Sequence, residues 1–463
     1  MSVSVGASAA GTYYVEVKPA SSYSSFDGNG AYSLTVTSNS VTSGIEFEPN
    51  QDVAQKITSG DALLGSISST TDWDWYAIEL AEAGTLTARM DVDSLESPGW
   101  DIRLYDASNN MLGSFNCSWS DCRDNGVALS VGANAAGTYY VQVVPASQYS
   151  AFDGNGAYTL TVTSSTQTSG IEFEPNNSRS TAQTTASGDT LSGNISSTSD
   201  TDWYAIELTE AGTLIARMDV ESLESPGWDV RLYDASSNML GSFNCSWSDC
   251  RDNGMSLSVG ASAAGTYYVE VASASSTASF DGNGVYSLTL TSNTQTSGIE
   301  NEPNDSGASA QSISSGTAIS GSVASISDVD WYKMELTEAG TLTARMDVDA
   351  LESPGWVLAI YDSSNNLLGS LNCSWSDCRD DGISVSVGAS SAGTYYVGVA
   401  SASSYSSFDG NGAYTLTVTA SSETSGIEFE PNNDLSSAQS LTSGVAMSGS
   451  VASVTDSDWY SIE

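Results

Sequence analysis

The chain has 463 residues, enough for about three domains at roughly 150 residues each. Twelve basic residues stand against 56 acidic ones, with no histidine, for a net charge of −44. So few cationic side chains cannot neutralise phosphate, which excludes nucleic acid and anionic membranes as partners and leaves cations as the natural ones. The acidic content is ordinary; the scarcity is of Lys and Arg. Hydrophobic residues make up 40% of the chain, enough for packed cores. No apolar run reaches the roughly 18 residues of a spanning helix.

The opening stretch SVSVGASAAGTYYVEV reads as two strands rather than a secretory leader. Further along, residues 85–92 (TLTARMDV), 101–106 (DIRLYD), 139–144 (YYVQVV) and 157–163 (AYTLTVT) alternate apolar and polar residues, as half-buried strands do. The turn sequences EAGT, DASNN, AAGT and FDGNG separate them. The only helical candidate is a turn near residues 53–57. Seven or more short strands in about 120 residues fit a β-sandwich.

This pattern recurs. SGIE begins at Ser43, Ser169, Ser297 and Ser425, and GTYY at Gly11, Gly137, Gly265 and Gly393, with spacings of 126, 128 and 128 in both sets. NCSWSDC begins at Asn116, Asn244 and Asn372. A period near 128 is too long for one solenoid turn and right for a domain. The expectation is a tandem array of separate β-sandwich beads on polar linkers. The C-terminal part of a repeat would occupy 1–42, and full repeats 43–168, 169–296 and 297–424. The N-terminal part of another would occupy 425–463. Both partial repeats lack the equivalent of 336–382, so a fragment of a longer polypeptide is expected.

The ordered set GIEFEPN, DWDWYAIEL, EAGTLTARM, DIRLYD, AAGTYYVQV and AYTLTVT, repeated in register, resembles the bacterial pre-peptidase C-terminal (PPC) domain family. The collagen-binding domains of bacterial collagenases are relatives of that family. The resemblance implies an all-β fold of jelly-roll-like sandwiches, outside the cell or on its surface. It also implies modules appended to secreted peptidases or strung along surface proteins, several of which bind calcium through an E-x-E segment.

GIEFEPN has chemistry of its own. An extended E-x-E puts both carboxylates on one face. Pro49 holds Glu48 extended, and Asn50 adds an amide oxygen. Some 25 residues later comes D-x-D before Trp-Tyr. Calcium takes about six to eight hard oxygen ligands. The resemblance implies that arm and D-x-D loop meet around one Ca2+. The ligands would be Glu46, Glu48, Asn50, Asp72 and Asp74 in the first full repeat. Their equivalents are Glu172, Glu174, Asn176, Asp200 and Asp202; Glu300, Glu302, Asn304, Asp328 and Asp330; and Glu428, Glu430, Asn432, Asp456 and Asp458. Which aspartate of each pair binds the ion is open. The competing reading is a polar linker and an acidic turn. If the ion binds, it converts a flexible linker into a fixed joint.

Each full repeat also carries one Cys pair: Cys117/Cys122, Cys245/Cys250 and Cys373/Cys378. Two thiols without histidine are too few for a zinc site. A disulfide across a hairpin tip is expected, and with it an oxidising compartment. Within that loop Trp119, Trp247 and Trp375 either stack on a sugar or fill a neighbour's pocket, or else pack back on their own domain. The SPGW tryptophans Trp100, Trp228 and Trp356 are expected in the core, as is the Trp of each D-x-D-W-Y. FDGNG reads as a tight hairpin turn. The sequons at Asn116, Asn194, Asn244 and Asn372 are candidate glycan sites. Those at Asn176 and Asn304 coincide with expected ligands.

No histidine, nucleophile elbow or phosphate loop is present, so the segment is expected to be non-enzymatic. Two functions remain. One is a segment of a calcium-stabilised extracellular fibre, stalk, adhesin or surface filament, partnered by further repeats of its own chain. The other is a multivalent appendage that holds a secreted hydrolase on collagen, polysaccharide or another polymer.

Overall fold

The alternation translates directly into strands. The strand Gly84–Asp91 buries Leu86, Ala88 and Met90 completely and turns the residues between them outward. This computed structural model describes residues 6–7, 10–18, 31–38, 44–92, 99–117, 126–145, 156–220, 227–245, 254–274, 284–348, 355–373, 382–402, 412–452 and 456–462. The chain divides into two compact units, Met1–Thr168 and Ser169–Glu463. The fold is all-β, with almost no helix.

In the unit Met1–Thr168, two sheets carry the core. One orders Gln55–Lys56, Asp74–Leu80, Gly137–Pro145, Trp100–Tyr105 and Met111–Cys117. The other orders Ala62–Ser66, Ala157–Ser165, Gly84–Asp91 and Val127–Ala133. Pairing is antiparallel except at the short strand Gln55–Lys56, which runs parallel to its neighbour. Residues of both sheets share one buried cluster around Trp100, Tyr76, Ile102 and Met90.

The unit Ser169–Glu463 repeats this layout twice, with clusters around Trp228 and Trp356. The SPGW tryptophans are thus core residues, at 1% exposure or less. Each opens a strand on which it and the residue two positions further on face inward.

Three expectations are corrected. The repeats are not beads on flexible string. In Ser169–Glu463 the short strand Asn301–Glu302 adds in parallel to Met255–Ala261 of the preceding repeat. Within Ser169–Glu463 the array therefore reads as a β-solenoid rather than as separate jelly-roll beads, with successive repeats joined through backbone pairing. Residues 53–57 form a bend followed by the strand Gln55–Lys56, not a helix. Among the described residues the only helical turn is the 3-10 segment Arg179–Thr181. Among the described residues near the start, only Gly6–Ala7 is paired. The GTYY segment there leaves Tyr13 and Tyr14 at 61% and 91% exposure. In the full repeats that segment lies between two strands that precede it in sequence.

Candidate metal centre

The second full repeat shows how the arm is positioned. Ile171 bridges Ser192 in parallel, and the Glu172 amide donates to the Ser192 carbonyl at 2.9 Å. The Gln183 side chain accepts from the Phe173 amide at 2.7 Å and donates to the Ile171 carbonyl at 2.9 Å. The arm is thereby extended, and Glu172 and Glu174 share one face. The Glu-Pro bond that follows is cis in all four arms. Glu172 and Glu174 are each 4% exposed, and Asn176 and Asp202 are fully buried.

Three carboxylates meet there. Oxygens of Glu172, Glu174 and Asp202 lie within 4.8 Å of one another, as do those of Glu46, Glu48 and Asp74, of Glu300, Glu302 and Asp330, and of Glu428, Glu430 and Asp458. Glu172 is held by three donors: the Asn176 side-chain amide at 2.9 Å, the Tyr204 hydroxyl at 2.7 Å and the Asn194 backbone amide at 2.8 Å. The Tyr204 and Tyr286 hydroxyl oxygens lie 2.6 Å apart, and Tyr286 donates to Asp202 Oδ2 at 2.5 Å. With its amide nitrogen committed to Glu172, Asn176 keeps a buried side-chain oxygen without a hydrogen-bond partner.

The atoms left over define the site. In the first full repeat Glu48 Oε1, Asn50 Oδ1 and Asp74 Oδ1 are buried without a hydrogen-bond partner. The same three atoms are orphaned at Glu302, Asn304 and Asp330, and at Glu430, Asn432 and Asp458. A native fold rarely buries unpaired acceptors, let alone several converging ones. The donor set is oxygen only, with three carboxylates and one amide. That fits a hard divalent cation such as Ca2+ and not a thiolate- or imidazole-seeking metal.

The structure separates the two aspartates of each pair. The first holds its own loop. Asp200 Oδ2 accepts from the Ser196 amide at 2.6 Å and hydroxyl at 2.7 Å, and Asp72 does the same with Ser68 at 2.6 Å each. Asp328 and Asp456 accept from the Ala324 and Ala452 amides at 2.5 and 2.6 Å. The second aspartate joins the glutamates. Asp328 in addition lies with Glu302 and Asp305 in a further acidic group.

Burial, followed by the neighbouring carboxylates, pushes these acids far above their usual range. Asp74 rises to about 10, Glu174 to about 8 and Glu302 to about 9. At the last arm, where solvent reaches the cluster, Glu430 and Asp458 rise only to about 7 and about 6. The sign of the consequence follows. Below about pH 4 folded and unfolded chains are both protonated. As pH rises towards 8 to 10 the unfolded chain releases protons that the folded one keeps, so stability without metal falls. In chelator the melting temperature is expected to drop by more than about 5 °C between pH 5 and pH 9. With excess calcium, which replaces the protons, the profile flattens. Scanning calorimetry across pH checks both arms, and a flat profile in chelator contradicts the buried-acid geometry.

Sequence reasoning missed the tyrosines. Tyr76 and Tyr158, Tyr204 and Tyr286, and Tyr332 and Tyr414 bridge the two sheets at the cluster. The first of each pair stands two residues after the clustered aspartate, hence on the same strand face. It also missed the clamping glutamines Gln55, Gln183, Gln311 and Gln439.

The same alternation corrects the D-x-D-W-Y tryptophans. Flanked by an inward Asp and an inward Tyr, Trp75, Trp203 and Trp331 face outward and are half-buried. They lie 5.3, 5.4 and 5.0 Å from the rings of Tyr105, Tyr233 and Tyr361, and Trp459 is 41% exposed.

Among the candidate glycan acceptors, Asn194 is 2% and Asn116 8% exposed, too enclosed to carry a glycan in the folded chain. Asn244 commits its amide to Asp229 at 2.7 Å, whereas Asn372 is exposed. Trp119, Trp247, Trp375, the FDGNG turns and the distal cysteines Cys122, Cys250 and Cys378 lie outside the described residues, so the pairings stay proposals. No cysteine among the described residues is free.

Residues 328–401, in the third full repeat, match the bacterial pre-peptidase C-terminal domain family. No curated protein matches the chain. Among solved structures it is similar to the pre-peptidase C-terminal domain of a collagenase from Bacillus anthracis. The identity is 21%, over 24% of this chain and 93% of that one, with a TM-score of 0.19. It is also similar to a Clostridium perfringens structure joining an M60 catalytic domain to two CBM51 domains. There the identity is 9%, over 78% of this chain and 34% of that one, with a TM-score of 0.17. No helix among the described residues is long and apolar enough to cross a membrane.

Proposed function

We propose that this chain is a segment of an extracellular, non-catalytic array whose repeats are clamped by calcium, serving as a fibre, stalk or surface filament. One observation carries the reading. Two glutamates and an aspartate converge at each arm, and in the groups of Glu48, Glu302 and Glu430 the Glu, the Asp and the neighbouring Asn each keep a buried oxygen without a hydrogen-bond partner. A catalytic acid pair is placed once and opened to substrate, whereas this cluster recurs in every repeat and is closed off. The match of one repeat to a domain family found on peptidases supports an extracellular appendage.

Small-angle scattering of the full chain tests it. Calcium should give a stiffer particle whose largest dimension shortens in chelator. An unchanged profile would sink the stiffening role.

A second reading has an observation of its own. Trp331, Tyr361 and Tyr396 form an outward aromatic group, echoed by Trp75, Tyr105 and Tyr140. Repeated aromatic faces suit weak, multivalent contact with a polymer. Co-sedimentation with collagen and with insoluble polysaccharides separates this appendage role from a purely structural one.

A further inference from the structure

We infer that cation binding by one repeat and its docking onto the preceding repeat are a single coupled event. This rests on the carboxylate cluster being a cation site. The arm that carries the two glutamates touches the predecessor, and so does the loop that leads into the clustered aspartate.

The arm comes first. Within Ser169–Glu463, Asn301, which stands between Glu300 and Glu302, pairs with Gly260 of the preceding repeat, and Glu302 pairs with Ala261. At the next joint Gly388 bridges Phe429, and its amide donates to the Glu428 carbonyl at 2.8 Å. Within Met1–Thr168 the arm residues Phe47 and Glu48 pair with Gly6 and Ala7 in the same way. The loop makes the second contact. Ser242 Oγ donates to the Ala324 carbonyl at 3.0 Å, and Ala324 is the residue whose amide Asp328 holds. Ser370 Oγ meets the Ala452 carbonyl at 3.1 Å, and the Ala452 amide is held by Asp456.

A strand has two backbone edges and a face of side chains, and the arm uses all three. One edge bonds its own repeat, with the Glu300 amide donating to Ser320 at 2.9 Å. The other edge bonds the predecessor. The face presents both glutamates to the cluster.

The predecessor is shaped for this. A Cβ on Gly260 would stand 1.8 Å from the Glu300 carbonyl oxygen, one on Gly388 2.2 Å from that of Glu428, and one on Gly6 2.0 Å from that of Glu46. None of these glycines has a positive φ. Their missing side chain makes room for the arm rather than for a turn. The arm also covers part of an otherwise open strand edge.

The physical link is the arm's order. Without a cation, the three converging carboxylates must either take up protons or repel one another, and the arm is held less firmly on its own repeat. With one, the arm is held straight, and its free edge can dock at lower entropic cost. Linkage makes the effect reciprocal, so docking raises ion affinity by the same factor.

The test is hydrogen exchange of the full chain across a calcium titration, read by mass spectrometry at 298–304 in the arm and 255–261 in the preceding repeat. Both segments should gain protection at one shared midpoint. Gly260→Val should raise the midpoint at 298–304 about tenfold, while 170–176 keeps its own. If Gly260→Val also strips protection from the core strands of its repeat, Ser242→Ala serves instead, with a shift of about threefold expected. A response at 298–304 that 255–261 does not share, and that neither variant moves, overturns the coupling and leaves the cation site standing. No response at 298–304 overturns both.

Discussion

Glu302→Gln stabilises the metal-free chain and destabilises the calcium-loaded one. Glu302 is 5% exposed, and burial together with Glu300 and Asp328 raises its carboxyl to about 9. Its Oε2 accepts the Asn304 amide at 3.0 Å, a bond that a glutamine carbonyl can keep. Its Oε1 has no hydrogen-bond partner. Without metal the folded chain must keep this carboxyl protonated near pH 8 while the unfolded chain releases the proton, a cost that glutamine does not carry, and the melting transition of that repeat should rise by about 5 °C or more. With calcium it removes one carboxylate ligand. At 100 times the dissociation constant the ion contributes about 2.7 kcal/mol, and most of that should be lost. Scanning calorimetry in chelator and in calcium reads both signs. A shift in the same direction under both conditions would mean the cluster is a structural acid network and not an ion site.

Replacing Glu172 and Glu174 together by alanine should lower the melting temperature of that repeat in calcium by about 10–20 °C. Three losses combine. The ion's contribution disappears, about 2.7 kcal/mol at 100 times the dissociation constant. The Asn176 amide, the Tyr204 hydroxyl and the Asn194 amide lose the carboxylate that receives them, at about 1–3 kcal/mol for each buried group left unpaired. The arm is also no longer tied through its side chains to the sheet it lies on. Differential scanning calorimetry resolves the outcome, and a shift under about 5 °C would show that these glutamates are not the anchor.

Much of this was legible because the sequence repeats itself. The period located the repeats, and period-two alternation located the strands. E-x-E on an extended arm correctly implied two carboxylates on one face. What remained hidden needed the third dimension. D-x-D puts two aspartates on equal terms in sequence, but Asp200 is drawn to Ser196 while Asp202 turns into the cluster. Tyr158 reaches Asp74 across 84 positions of chain, a closure that only sheet pairing sets. Trp75 looked like core by residue type, yet alternation between Asp74 and Tyr76 turns it outward. That the arm also docks on the preceding repeat stayed hidden, because GIEFEPN follows a polar run. The information that it docks lay in the glycine of the preceding repeat, a residue whose reason is the arm more than 40 positions away.

The central claim is that each cluster holds a hard divalent cation. Isothermal titration calorimetry of calcium into the chelator-stripped full chain at pH 7.5 tests it most directly. The account predicts saturable binding of at least one ion for each complete repeat, with proton release seen as a dependence of the heat on buffer ionisation. It also predicts that the Glu172→Ala, Glu174→Ala chain loses one site. Absence of binding heat at millimolar calcium, or an unchanged number of sites in that variant, would contradict it.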